Sequence, residues 1–144
     1  METLRLVLLL GVAALLATLS SCKGDDPSVT EAQKITNLLT GSPWKIQSVT
    51  VDNVAHDELY PNLSVTFTST GFTATNGLLV WPTTGTWTFT DKTATTFSRN
   101  DGVEVTINEI SDTRLVLSLT WTKTTLGGGR ANSLSGKNVF TLTK

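Results

Sequence analysis

From Leu63 onward, the hydrophobic and polar positions of the chain alternate with a period of two. Leu63, Val65 and Phe67 are interleaved with Ser64, Thr66 and Thr68; Trp87 and Phe89 with Thr86, Thr88 and Thr90; and Leu115, Leu117, Leu119 and Trp121 with Val116, Ser118, Thr120 and Thr122. Successive side chains of a strand point to opposite faces, so the pattern predicts half-buried antiparallel strands. Turn-forming groups separate the runs at Ser69-Thr70-Gly71, Asn76-Gly77, Asn100-Asp101-Gly102 and Ser111-Asp112-Thr113. The third is a strong hairpin turn, because Asp-Gly tolerates positive φ. The runs place about eight strands, at 44–51, 63–69, 71–76, 85–90, 94–99, 103–110, 114–123 and 138–144. Successive hairpins make a meander, and a meander with one apolar face has exposed edges unless it closes on itself. The expected fold is therefore all-β: a small antiparallel up-and-down β-barrel of about eight strands. Phe67, Trp87, Phe89, Leu117 and Trp121 would point inward, and an eight-stranded interior is just wide enough for side chains to fill.

Ahead of the first strand the period is helical. In SVTEAQKITNLLTG, residues 28–41, Ser28 can cap a helix, Glu31 completes an S-x-x-E capping box and Gly41 stops it. Val29, Ala32, Ile35, Leu38 and Leu39 share one face, which is expected to plug one end of the domain.

Leu4 to Leu19 is an apolar run of about sixteen residues with one charge, Arg5, at its front. It is too short to span a bilayer comfortably and has the proportions of a signal peptide. The four residues at its end, Leu19-Ser20-Ser21-Cys22, resemble the bacterial lipobox. That resemblance implies removal of residues 1–21 and diacylglyceryl modification of Cys22, the only cysteine. A thiolate is a good nucleophile for that alkylation, and acyl chains contribute about 0.8 kcal/mol per buried methylene, so the membrane is reached without a transmembrane helix. Residues 22–27 would form a lipid-anchored linker, and 28–144 the helix and barrel. Lys23, Asp25 and Asp26, interrupted by Gly24, resemble the surface-export signal of lipoproteins in the Bacteroidota; a solvated linker has the same composition. The expected location is the outer membrane, lipid-anchored, with display at the cell surface.

Eleven basic residues against twelve acidic ones leave a net charge of −1. No basic field for nucleic acid exists. With one cysteine there is no disulfide framework and no cysteine-based metal site. His56, the only histidine, stands beside Asp57 and Glu58, but three consecutive residues cannot all face one point on a strand, so no metal site and no catalytic residue is assigned. The stretch Gly127 to Asn138 is glycine-rich but lacks phosphate-loop spacing and leads into a strand. It reads as a long flexible hairpin loop. No enzyme chemistry and no cofactor beyond the lipid on Cys22 is expected.

One run breaks the alternation. Leu78, Leu79, Val80 and Trp81, closed by Pro82, place three aliphatics and an indole together. Such a run is either covered core or a ligand or partner contact at a barrel mouth.

A short helix, then Leu39-Thr40-Gly41-Ser42-Pro43-Trp44 opening the first strand, then hairpins ending in Phe140-Thr141-Leu142, is similar to the small lipocalin-like lipoproteins of the Bacteroidota. Lipocalins carry Gly-x-Trp where this chain has Gly-Ser-Pro-Trp. The resemblance implies that Trp44 is structural and closes one barrel end. It also implies a binding module for a small apolar ligand or a glycan. The alternative is an interaction subunit of an envelope assembly, with a packed barrel and no ligand.

Overall fold

The computed structural model describes residues 28–123, 125–127 and 130–144. Cys22, Lys23, Asp25 and Asp26 lie outside the described residues. The chain opens with helix α1, Glu31–Leu39. Its cap is Thr30, whose hydroxyl accepts the Gln33 amide at 3.2 Å, rather than Ser28. Two S/T-x-x-E/Q frames overlap here, and the later one places Glu31 in the first turn, where its charge meets the positive end of the helix dipole. Gly41, at φ +96°, provides the left-handed step that ends the helix.

The strands follow as β1 (Trp44–Val51), β2 (Val54–Ala55), β3 (Ser64–Phe67), β4 (Gly71–Thr75), β5 (Thr84–Phe89), β6 (Thr96–Arg99), β7 (Glu104–Ile110), β8 (Arg114–Trp121), β9 (Thr125–Gly127), β10 (Arg130–Ser133) and β11 (Gly136–Thr143). One sheet runs in the order β11-β8-β7-β6-β5-β4-β3-β1-β2, and a further β11–β1 pairing closes it. The result is a closed antiparallel barrel of eight strands with β2 as an extra one. Closure is extensive, with β1 and β11 paired from Lys45 opposite Thr143 to Val51 opposite Asn138. The glycine-rich segment read as a flexible loop instead carries the two-stranded β9–β10 ladder, and the loop at His56 to Glu58 contains a 3-10 turn, Asp57–Leu59.

Two bulges shape the wall. In β1 the register slips between Ile46 and Ser48, leaving Gln47 as the extra residue; in β7 it slips between Ile107 and Glu109, leaving Asn108. Each bulge shifts the inward parity by one. Trp44 therefore shares the interior with Val49 and Val51, and Val105 and Ile107 pack with Ile110.

Side chains fill the interior. Trp44, Tyr60, Phe67, Trp81, Phe97 and Phe140 are the largest fully buried groups. Phe67 is a hub, meeting Trp81, Trp87 and Phe97 edge-to-face at centroid distances of 6.4, 6.2 and 6.0 Å, the arrangement that matches ring edges to ring faces. Phe89, expected inside, is half-buried against Trp87 at 4.9 Å.

Helix α1 closes the end at which β1 begins. Trp44 is fully buried there, and its indole N–H donates to the Leu39 carbonyl at 2.8 Å. Lys144 lies over the same ring at 4.4 Å and donates to the carbonyls of Leu38 and Thr40 at 2.8 and 3.5 Å. One cation thus caps the helix C-terminus and covers the indole. No described helix is long and apolar enough to cross a membrane.

Candidate functional site

The rim opposite the helix is built from the segments between β1 and β3, β4 and β5, β6 and β7, and β8 and β11. The apolar run Leu78 to Trp81 belongs to the second of these, and the structure divides it. The Trp81 amide donates to the Gly77 carbonyl at 2.9 Å, closing a single helical turn. Leu78 sits at φ +55° within it. Side chains on such a turn do not follow the strand period, so Val80 and Trp81 point into the core, 0 and 1% exposed, while Leu78 and Leu79 face out, 41 and 53% exposed. Trp81 is thus a core residue, packed on Phe72 and Phe140 at 5.7 and 5.8 Å, rather than a ring displayed at a mouth. A side chain at Gly77 would meet the Trp81 carbonyl oxygen at 2.3 Å, which makes glycine necessary there.

Beneath this turn lies a buried cation that pattern reading passed over. Arg99, at the end of β6, is 3% exposed. Its Nε donates to Asp101 Oδ1 at 3.0 Å and its Nη2 to Asp101 Oδ2, a two-pronged pair. Nη1 donates to the Val80 carbonyl at 2.7 Å, and the guanidinium stacks 5.0 Å from Trp81 and 5.7 Å from Phe72. Burial pushes the Asp101 carboxyl up, but the hydrogen bond and charge of Arg99 together with the Val103 amide outweigh it and hold the group below its ordinary value. Its position two residues beyond the buried Phe97 was the available signal, since strand parity aims both inward.

Asp101 also lines a groove of about 610 Å3, together with Gly102, Val103 and Glu104 of the same turn. From there the groove follows β7 and β8 through Thr106, Asn108, Ser118 and Thr120, and is bordered by Trp121, Lys123 and Lys137. Thr106 pairs with Ser118 across the strands, whereas their neighbours Val105 and Leu119 pair inside the core, so this stretch is on the outer wall. The β7 bulge supplies Asn108, whose side-chain oxygen accepts the Ser118 hydroxyl at 3.3 Å. Ser118 is only 6% exposed despite facing outward, as expected in a concavity. The Trp121 indole N–H is buried and has no hydrogen-bond partner among the described residues.

The segment between β1 and β3 holds His56, Asp57 and Glu58 in separate tasks. Asp57 accepts the Val49 amide at 2.7 Å, covering the wall where β1 has left β3, and His56 pairs with Glu58 at 2.9 Å. Among the described residues no group of three histidine, cysteine or acidic side chains is placed to hold a metal ion.

Comparison of the chain with protein-family models, with curated proteins and with solved structures finds no match.

Proposed function

We propose that this chain is a lipid-anchored protein of the bacterial envelope: a non-catalytic barrel of the small lipocalin-like lipoprotein type that meets its ligand or partner with its outer surface rather than in its lumen. The observation that carries the second half is the filled interior, in which Phe67, Trp81, Trp87, Phe97 and Phe140 occupy the space a small apolar ligand would need. Exposed Leu78 and Leu79 and the polar groove on β7 and β8 are the surfaces left for contact. The division of His56, Asp57 and Glu58 among structural hydrogen bonds supports the non-catalytic reading.

The first half rests on Leu19-Ser20-Ser21-Cys22 behind the apolar run, with Lys23, Asp25 and Asp26 favouring outward display. Cys22→Ser should abolish acylation and move the protein out of the outer-membrane fraction. Protease shaving of intact cells should digest the wild type and spare a variant carrying Asp25→Ala and Asp26→Ala. A Cys22→Ser protein that fractionates with membranes as the wild type does contradicts the anchor, and equal digestion contradicts the display signal.

A further inference from the structure

The groove on β7 and β8 has a composition that selects among ligand classes. Its volume, about 610 Å3, lies in the roughly 300–1,000 Å3 range of small-ligand sites. Two carboxylates, Asp101 and Glu104, are offset by two ammonium groups, Lys123 and Lys137. A balanced lining gives no field that would gather a polyanion or a polycation. Hydroxyl and amide groups from Thr106, Asn108, Ser118, Thr120 and Thr122 dominate the rest, and Val103, Leu119 and Trp121 are the apolar members. That is too little apolar surface to hold a hydrocarbon ligand.

A peptide is also a poor fit. Both walls come from strands with partners on each side, since β7 pairs with β6 and β8, and β8 with β7 and β11. Neither offers a free edge for strand addition. What remains is a ligand dense in hydroxyl groups. A carboxylate accepts from two neighbouring hydroxyls at once, and a side-chain amide donates and accepts. Trp121, by contrast, lies on the inward face of β8 with Leu115, Leu117 and Leu119 and is part of the core, so its buried indole N–H is not offered to the groove.

We propose that the β7–β8 groove is a binding site for a neutral oligosaccharide, held by Glu104, Asn108, Ser118 and Thr120. The site deepens the reading of recognition on the outer wall, and it rests on that reading. The bulge at Asn108 is the device that makes it. Without the extra residue β7 would present a plain alternating wall, and the amide would not stand beside Ser118.

The test uses the intact lipidated chain in a detergent that is not itself a glycoside. It is titrated by NMR or calorimetry with neutral trisaccharides of glucose, mannose, galactose, xylose and N-acetylglucosamine, and in a second arm sedimented with insoluble cell-wall glycan. Saturable binding of at least one probe is expected, in the micromolar to low millimolar range. Glu104→Gln and Asn108→Ala should each weaken it about tenfold, or about 1.4 kcal/mol, while leaving the melting temperature in place. Binding in the first arm alone assigns a soluble sugar, and binding in the second assigns a wall polymer. Absence of binding to every probe at about 10 mM, or binding that survives Glu104→Gln and Asn108→Ala unchanged, overturns the proposal. Neither result touches membrane retention through Cys22, which fails or stands by its own measurement.

Discussion

Trp44→Ala is expected to lower the melting temperature by roughly 10–20 °C. The indole is fully buried where the helix meets the barrel, and its loss acts in three ways. Truncating a large buried aromatic typically costs about 3–5 kcal/mol through lost burial and the cavity left behind. The Leu39 carbonyl loses its 2.8 Å donor. Lys144 loses the ring it covers at 4.4 Å, so its two contacts to the helix C-terminus are held less firmly. Against a total stability of about 5–15 kcal/mol, that leaves a marginal domain. Trp44→Phe, which keeps most of the volume but not the N–H, should cost clearly less. Thermal unfolding followed by circular dichroism checks both, and a Trp44→Ala protein that melts with the wild type contradicts the role given to this residue.

Severing the Arg99–Asp101 pair should cost more from the carboxylate side than from the cationic side. Asp101→Ala strands a guanidinium whose side chain is fully buried, with only the Val80 carbonyl and two rings for company. Arginine cannot shed its proton, and breaking a buried pair in this way typically costs about 3–5 kcal/mol. Arg99→Met leaves an apolar chain against Trp81 and Phe72 and an aspartate whose side chain is already 34% exposed and can hydrate. The loss is then chiefly the Val80 carbonyl's donor, about 1–3 kcal/mol.

The same pair sets an acid dependence. Asp101 is held below its ordinary value in the folded state, so its contribution is present above about pH 4 and is lost as pH falls through the depressed folded value. The wild type should lose stability over that window, and Arg99→Met should lose less of it. Denaturant titrations at neutral and acid pH decide this. Equal costs for the two variants, with no difference in acid sensitivity, would remove the buried pair from the account.

Much of the barrel was legible because strand parity is written directly into the side chains. Leu115, Leu117, Leu119 and Trp121 alternate without a break, and β8 is regular from Arg114 to Trp121. Where the wall bulges, the trace is subtler: Trp44, Ile46, Val49 and Val51 keep an apolar spacing with one residue too many, which marks the slip at Gln47. Leu78 to Trp81 were misleading as a unit because their inward and outward positions are decided by a helical turn closed at Gly77, not by the strands beside it. Arg99 was hidden for a different reason. A charged residue at an inward position reads as the end of a strand unless its partner is known, and the partner here sits in the turn that follows. The groove left no signal at all, since Thr106, Ser118 and Thr120 would be outward polar residues on a flat wall or a concave one. Cys22 and the residues after it are read from the sequence alone.

Recognition from outside a filled barrel is the central claim, and titration of a soluble form beginning at Lys23 with an apolar fluorescent probe tests it most directly. The account predicts no saturable one-to-one uptake and no change in tryptophan emission, because Trp81 and Trp87 are already packed against Phe67. Stoichiometric probe binding that quenches those tryptophans, with the melting temperature rising as the lumen fills, would contradict it.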